Sequence, residues 1–385
     1  MKILFLDQSG TLGGAELCLL DIAAPYRHES LMGLLSDGPF RERLEQQGFS
    51  TKVFTTEAID VRKESGFLKS LSSLGQLFPL VQAVADTARE YDLIYANTPK
   101  ALVVGAFASL LSRRPLAYHL HDIIASEHFS KINRIVLITL ANRFASRVIA
   151  NSEASQRAFV AAGGRSQLCK VIYNGFHTEQ YDLSTLGTAI QAQQLRDSLG
   201  LGERFFLVGH FSRLSPWKGQ HVLLDAVKQC PPEVVVILVG DALFGEQAYV
   251  KQLHEQVDRL ELGGRVRFLG FRSDIPELMS ACDLVVHTST APEPFGRVIV
   301  EAMLCGTPVI AAAAGGATEL VSPGRTGWLC AENEPSTLAE TILNCKASPD
   351  QMQEIAQQAK AEALSRFDVN SINRLIQEQL NKIVR

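Results

Sequence analysis

Short apolar runs alternate along the chain with longer segments whose apolar positions recur at helical spacing. That alternation predicts parallel sheets covered by helices on both faces. In the first half the runs are Lys2 to Leu6, Leu31 to Leu35, Thr51 to Phe54, Leu93 to Ala96, Leu116 to Leu120, Arg147 to Ala150 and Lys170 to Ile172, with helical stretches such as Ala15 to Ala23 and Phe67 to Glu90 between them. From Tyr173 to about Glu203 the pattern fades into polar, Gln-rich sequence, and then it restarts. Strands are expected at Phe205 to His210, Val234 to Val239, Val266 to Leu269, Leu284 to His287 and Val309 to Ala312. Helices are expected at Trp217 to Gln229, Glu246 to Glu261, Glu277 to Ala281, Arg297 to Leu304 and Pro335 to Cys345. The restart predicts an α/β chain of two doubly wound domains, and such sheets bind ligands at the carboxyl ends of their strands. Gln351 to Arg385 reads as two helical runs interrupted near Phe367 and Asp368.

Composition narrows the classes. At 385 residues the chain suits two domains, and 46% hydrophobic with 20% charged residues is a globular balance. A net charge of -4 and a pI near 6.2 provide no general basic field for nucleic acid. The cysteines at 18, 169, 230, 282, 305, 330 and 345 are scattered, without a C-x-x-C pair. They are expected to be buried thiols in a reducing cytoplasm, neither a disulfide framework nor a zinc site. The run Ile3 to Leu6, broken by Asp7, is too short for a secretory leader, and Ala101 to Leu111 is too short to span a bilayer.

The segment Glu293 to Glu319 carries the densest chemistry. Pro292 and Pro294 keep Glu293 off the following helix, which starts after Gly296 and contains Glu301. Between the two carboxylates, the unpaired N–H groups of the first helical turn make a ready anion site. A ligand with hydroxyls at both ends and a phosphate between them fits this layout, as a nucleotide sugar does. Upstream, Phe205 to His210 leads into Arg213 and Lys218, two cations where a strand gives way to a helix and able to face one diphosphate. In the first half, Gly13 and Gly14 open a helix but form no G-x-G-x-x-G fingerprint. His119, His121 and Asp122 follow another strand, where a histidine can serve hydrogen bonding or proton transfer.

Glu293, Phe295, Gly296, Glu301, Ala302, Gly306, Pro308, Gly315, Gly316 and Glu319 together resemble the signature of the retaining glycosyltransferases of family 4. The resemblance implies a GT-B fold, two Rossmann-like domains facing across a cleft. It implies an acceptor-side domain over 1–175, a linker over 176–203 and a nucleotide-sugar domain over 204–367, with a helix near 368–385 packing back on the first domain. Arg213 and Lys218 would hold the leaving diphosphate, Glu293 the donor sugar, Glu301 the ribose, and His121, with His119 as runner-up, the sugar. Gly13, Gly14, Asp241, Phe271, Phe295, Gly296, Arg297 and Val298 would complete the donor site. Ser212 stands where many relatives have glycine.

No D-x-D pair stands out, and the resemblance implies catalysis without a metal or other cofactor. UDP-glucose is the favoured donor, and a glycan or lipid-linked saccharide is the expected acceptor. A sugar-nucleotide 2-epimerase of the same fold and a non-catalytic nucleotide-sugar-binding protein remain alternatives. The basic and apolar segment Lys131 to Arg147, with Arg113 and Arg114 nearby, is either a core helix with a basic edge or a peripheral contact with an anionic membrane.

Overall fold

A computed structural model describes residues 1–8, 13–55, 71–126, 129–181, 186–202, 204–243 and 245–384, with the side chains of 71–76 and 186–191 outside that description. The chain divides into two compact units, Met1–Phe176 with Val369–Arg385, and His177–Asp368. The first holds β1 (Ile3–Asp7), β2 (Leu31–Leu34), β3 (Ser50–Val53), β4 (Leu93–Ala96), β5 (Leu116–Leu120), β6 (Ala145–Ala150) and β7 (Cys169–Val171). They form one parallel seven-stranded sheet in the order β3-β2-β1-β4-β5-β6-β7. Every residue of β1, β4 and β5 is buried, because helices cover both faces; hence their unbroken apolar runs. β3, at the edge, instead alternates exposed with half-buried positions.

Successive side chains of a strand point to opposite faces, so each sheet face has its own core. Leu4, Leu6 and Ile94 pack among Leu102, Leu137 and Phe159 on one side, and Ile3, Phe5 and Tyr95 pack among Leu19, Ile372 and Ile376 on the other. The last two lie on the C-terminal helix Val369–Asn381, which is tied to this unit by Val369 N–H to Phe176 O and by Asn373 Nδ2 to Asp21 O at 2.8 Å.

The second unit holds β8 (Phe206–Phe211), β9 (Val234–Val239), β10 (Val266–Gly270), β11 (Leu284–His287), β12 (Val309–Ala312) and β13 (Trp328–Cys330), all parallel in the order β10-β9-β8-β11-β12-β13. β13 was not among the expected strands. The stretch read as a linker contains a helix, Leu186–Ser198, within this second unit. Arg196 fastens it with bonds to Ala281 O, Phe205 O and the Asp283 carboxylate, a tertiary anchor that hydrophobic patterning does not report. The helix expected over Phe67 to Glu90 is seen as Leu71–Ala88; residues 67–70 lie outside the described residues. Among the described residues no helix is long and apolar enough to cross a membrane.

Candidate functional site

In each sheet the strand order reverses at one place, between β1 and β4 and between β8 and β11. Connections leave such a pair toward opposite faces, opening a crevice at the carboxyl ends. Polar side chains collect at both places.

In the second unit the loop after β8 carries Arg213 and Lys218, and the loop after β11 carries Glu293. Lys218 Nζ donates to Glu293 Oε2 at 2.7 Å, Ser289 Oγ donates to the same oxygen at 2.9 Å, and His287 Nε2 lies 3.1 Å from it. Ser289 spends its only proton on Glu293, so its oxygen accepts from His287 Nε2 at 3.0 Å, which places the imidazole proton on that nitrogen. Burial opposes the charge on Glu293, but Lys218 and the His287 bond outweigh it and hold the carboxyl well below the ordinary carboxylate range. Glu293 is therefore an anion with its donors gathered on one oxygen.

Two close approaches set this geometry. Gly219, at φ +70, packs so tightly on the β11 loop that a Cβ would lie 1.9 Å from Thr288 O; Gly315, at φ +62, would put one 2.3 Å from Glu293 O. Gly316 N–H donates to that same Glu293 carbonyl at 2.7 Å. The Gly315-Gly316 pair clasps the Glu293 backbone.

The Trp217 indole joins the cations: Lys218 Nζ lies 3.9 Å and Arg213 Cζ 5.6 Å from its ring centre. Gly296 precedes the helix Arg297–Cys305, whose first turn holds Arg297 and half-buried Val298. The Arg297 Nε is 3.5 Å from Glu301 Oε1. Burial raises the Glu301 carboxyl above its ordinary value, against the pull of Arg297 and of a bond from Tyr181. Phe295 is only 3% exposed and packs edge-on against Phe367, so its contribution to any ligand is backbone alone. Asp241 is exposed; its carbonyl accepts from Leu214 N–H at 2.9 Å, beside Arg213. Phe271 follows the outer strand β10 and is 76% exposed. A cavity of about 500 Å³ at the amino ends of these strands, lined by Phe206, Asp283 and Pro308, lies away from the Glu293 network.

In the first unit Asp7 ends β1 and Asn97 follows β4. Asn97 Nδ2 donates to Asp7 Oδ2 at 2.7 Å and to Ala15 O at 3.2 Å. Both partners only accept, so the amide orientation is fixed and Asn97 Oδ1 must accept from His121 Nε2, 2.9 Å away. His121 is half-buried, whereas His119 is 1% exposed, with Nδ1 2.8 Å from the Tyr95 hydroxyl. Burial, reinforced by His121, pushes the His119 pKa well down. His121 is thus the accessible member of the pair. Gly13 precedes and Gly14 begins the helix Gly14–Ala23, while residues 9–12 of that loop lie outside the described residues. Glu16, one turn on, is pushed up to about 8 by burial and then by Asp7. All seven cysteines are buried and free. The one metal-competent group among the described residues is Cys18, His119 and His121.

Asp7, Asn97, Tyr181, His287 and Ser289 were not singled out from sequence. Asp7, Asn97, His287 and Ser289 are polar residues at or just past the carboxyl end of an apolar strand, and that position was the signal available.

Comparison with known proteins follows this geometry. Residues 191–362 match the family model described as "Glycosyl transferases group 1", and residues 40–180 match "Glycosyltransferase Family 4". Anabaena Alr3699/HepE, solved in complex with UDP-glucose, is 59% identical with a TM-score of 0.91, over 99% of this chain and 100% of that one. Spore coat protein SA of Bacillus subtilis (strain 168) is 32% identical over 51% of this chain and 54% of its own length. D-inositol 3-phosphate glycosyltransferase of Mycobacterium sp. (strain JLS) is 34% identical over 51% of this chain and 44% of its own. The match thus spans about half the length of these two curated relatives. The two sheets, the polar residues at their switch points and these likenesses agree, and the chain belongs to the family 4, group 1 glycosyltransferases of GT-B fold.

Proposed function

We propose that this chain transfers a hexose, with glucose from UDP-glucose as the favoured donor, to a hydroxyl of a glycan or lipid-linked saccharide, with retention of anomeric configuration. The observation that carries the reading is the buried Lys218–Glu293 pair at the β8/β11 switch point, with Arg213 beside it across Trp217. HepE, crystallised with UDP-glucose and also with UDP and glucose, supports the choice of donor.

Arg213 and Lys218 meet the diphosphate, and their charge stabilises it as the bond from the sugar C1 to the phosphate oxygen breaks. The amides at the start of the helix Arg297–Cys305 add fixed partial charge, so the chemistry needs no metal or other cofactor. Glu293 accepts from sugar hydroxyls, and Glu301 accepts from the ribose. The acceptor oxygen attacks C1 on the face from which the diphosphate leaves, and its proton passes to a phosphate oxygen. His121, its Nε2 held by Asn97, is the histidine assigned to the sugar.

The acceptor side includes a membrane reading. The helices Pro99–Ser112 and Lys131–Phe144 leave Leu110, Ile132 and Ile135 at 61%, 47% and 56% exposure, with Arg113, Arg114 and Arg134 in the same segments. A basic edge carrying apolar side chains suits peripheral contact with an anionic cytoplasmic leaflet. Pelleting with anionic vesicles and none with neutral ones is the expected result.

Thermal shift against UDP, GDP and ADP sugars, followed by product analysis with and without saccharide acceptors, tests the main reading. A UDP-glucose response and acceptor-dependent UDP release are expected. Conversion of donor alone into a C2 epimer would favour the epimerase, and binding without turnover would leave a binding protein.

A further inference from the structure

Gln220 is fully buried, at 0% exposure, and opens the helix Gln220–Lys228 that follows the loop carrying Arg213 and Lys218. Its amide is used on one side only. Nε2 donates to Ser212 Oγ and to Arg213 O, both at 2.9 Å, while Oε1 is buried without a hydrogen-bond partner among the described residues. Arg213 O can only accept, so the amide nitrogen must face it and the orientation is fixed. A buried acceptor left unsatisfied is costly, and packing alone would be served better by an apolar side chain.

What the two donors hold explains why an amide stands here. Ser212 and Arg213 follow directly on β8, and Gln220 begins the next helix, so the two bonds close the neck of the loop over 212–219. Ser212 Oγ also donates to Arg213 O at 3.0 Å, which completes a triangle of bonds at the neck. On one side of the loop, Ser212 N–H donates to Val239 O at 3.0 Å and Leu214 N–H to Asp241 O at 2.9 Å, seating Arg213 against the end of β9. On the other, the Thr288 hydroxyl lies 3.0 Å from Lys218 O and 2.9 Å from Gly219 O, seating Lys218 on the loop after β11. Gln220 joins the two seats.

We propose that Gln220 is a positioning residue that locks this loop and so fixes the separation at which Arg213 and Lys218 meet one diphosphate. It touches no substrate and acts through the Arg213 backbone. A displacement of about 1 Å in one of two groups that share a ligand is enough to cost much of their joint effect. The consequence for a diphosphate rests on the function proposed above; the closure of the loop does not.

The test compares wild type with Gln220→Met, which keeps the length of the side chain, removes the orphaned oxygen and leaves Arg213 O its bond from Ser212. The urea midpoint should be unchanged or higher, because no buried polar group loses its last partner and one unsatisfied acceptor is gone. Amide exchange across Arg213 to Gly219, followed by mass spectrometry on the folded protein, should nevertheless become several-fold faster. Calorimetric titration should show UDP affinity falling by about tenfold or more, with UMP, which presents a single phosphate, nearly unaffected. Should Gln220→Met not fold, Ser212→Ala removes one of the two bonds and should change exchange and UDP affinity in the same direction, to a smaller degree. Unchanged exchange and UDP affinity, or equal losses of UDP and UMP together with a lower urea midpoint, overturn the proposal. If the wild type itself binds no UDP, the donor reading fails, while the exchange comparison still decides whether Gln220 locks the loop.

Discussion

Lys218 and Glu293, 75 positions apart in sequence, meet at 2.7 Å where the second sheet reverses its strand order. The pair is largely dry, with side chains 16% and 10% exposed, so neither charge can be removed without consequence for the other. Lys218→Met strands an anion among His287 and Ser289 and should destabilise the chain by about 3 kcal/mol. Glu293→Gln should be milder, since Lys218 keeps the Trp217 ring. The double variant should recover part of the Lys218→Met loss, a coupling of roughly 1–3 kcal/mol in a urea-unfolding cycle. Each single variant should lower kcat by about 100-fold or more.

Acid should act on the same pair. The folded pKa of Glu293 lies below its ordinary 4.5, so its contribution to stability is present above that pH and is lost as pH falls further. Urea midpoints of wild type and Glu293→Gln should run parallel from neutral pH down to about 5 and converge below 4.5. Parallel curves throughout would show that Glu293 is not held ionised by its partners.

Gly315 offers a test of position without a change in charge. Alanine there has to adopt φ +62 and place its Cβ 2.3 Å from the Glu293 carbonyl oxygen, whereas Gly324, at φ +72, has open space around it. Gly324→Ala should show only the left-handed penalty, about 1–2 kcal/mol. Gly315→Ala should exceed it and also weaken donor binding about tenfold or more, because the Glu293 backbone must move. Calorimetric titration with UDP-glucose reads both variants.

Much of this architecture was legible in the sequence. β4, β5, β9, β11 and β12 span the expected residues, since strands covered on both faces leave unbroken apolar runs. The helix Leu186–Ser198 was not, because its hold on the second unit is Arg196, a polar side chain bonding to carbonyls and a carboxylate that only folding brings near. The site divides in the same way. Glu293, Glu301, Arg213 and Lys218 were visible through local spacing and a family signature. His287, Ser289, Asp7 and Asn97, which orient them or His121, depend on neighbours from other strands. Gly315 and Gly316 were noticed through the family signature, but the backbone they approach, that of Glu293, comes from folding.

Phe271 separates binding from stability. At 76% exposure its truncation should leave thermal stability within error, as substitutions on open surface do. If its ring stacks on the donor's base, Phe271→Ala should weaken UDP binding by about tenfold, within the roughly 1–3 kcal/mol typical of base–aromatic stacking. Unchanged UDP affinity would remove Phe271 from the donor site.

The anomer released when water replaces the unidentified acceptor bears on all of these residues at once. Time-resolved NMR of UDP-α-glucose with the enzyme, recorded before mutarotation mixes the products, should show α-glucose and UDP appearing together, and neither with Lys218→Met. β-Glucose as the first product would contradict same-face transfer at this site.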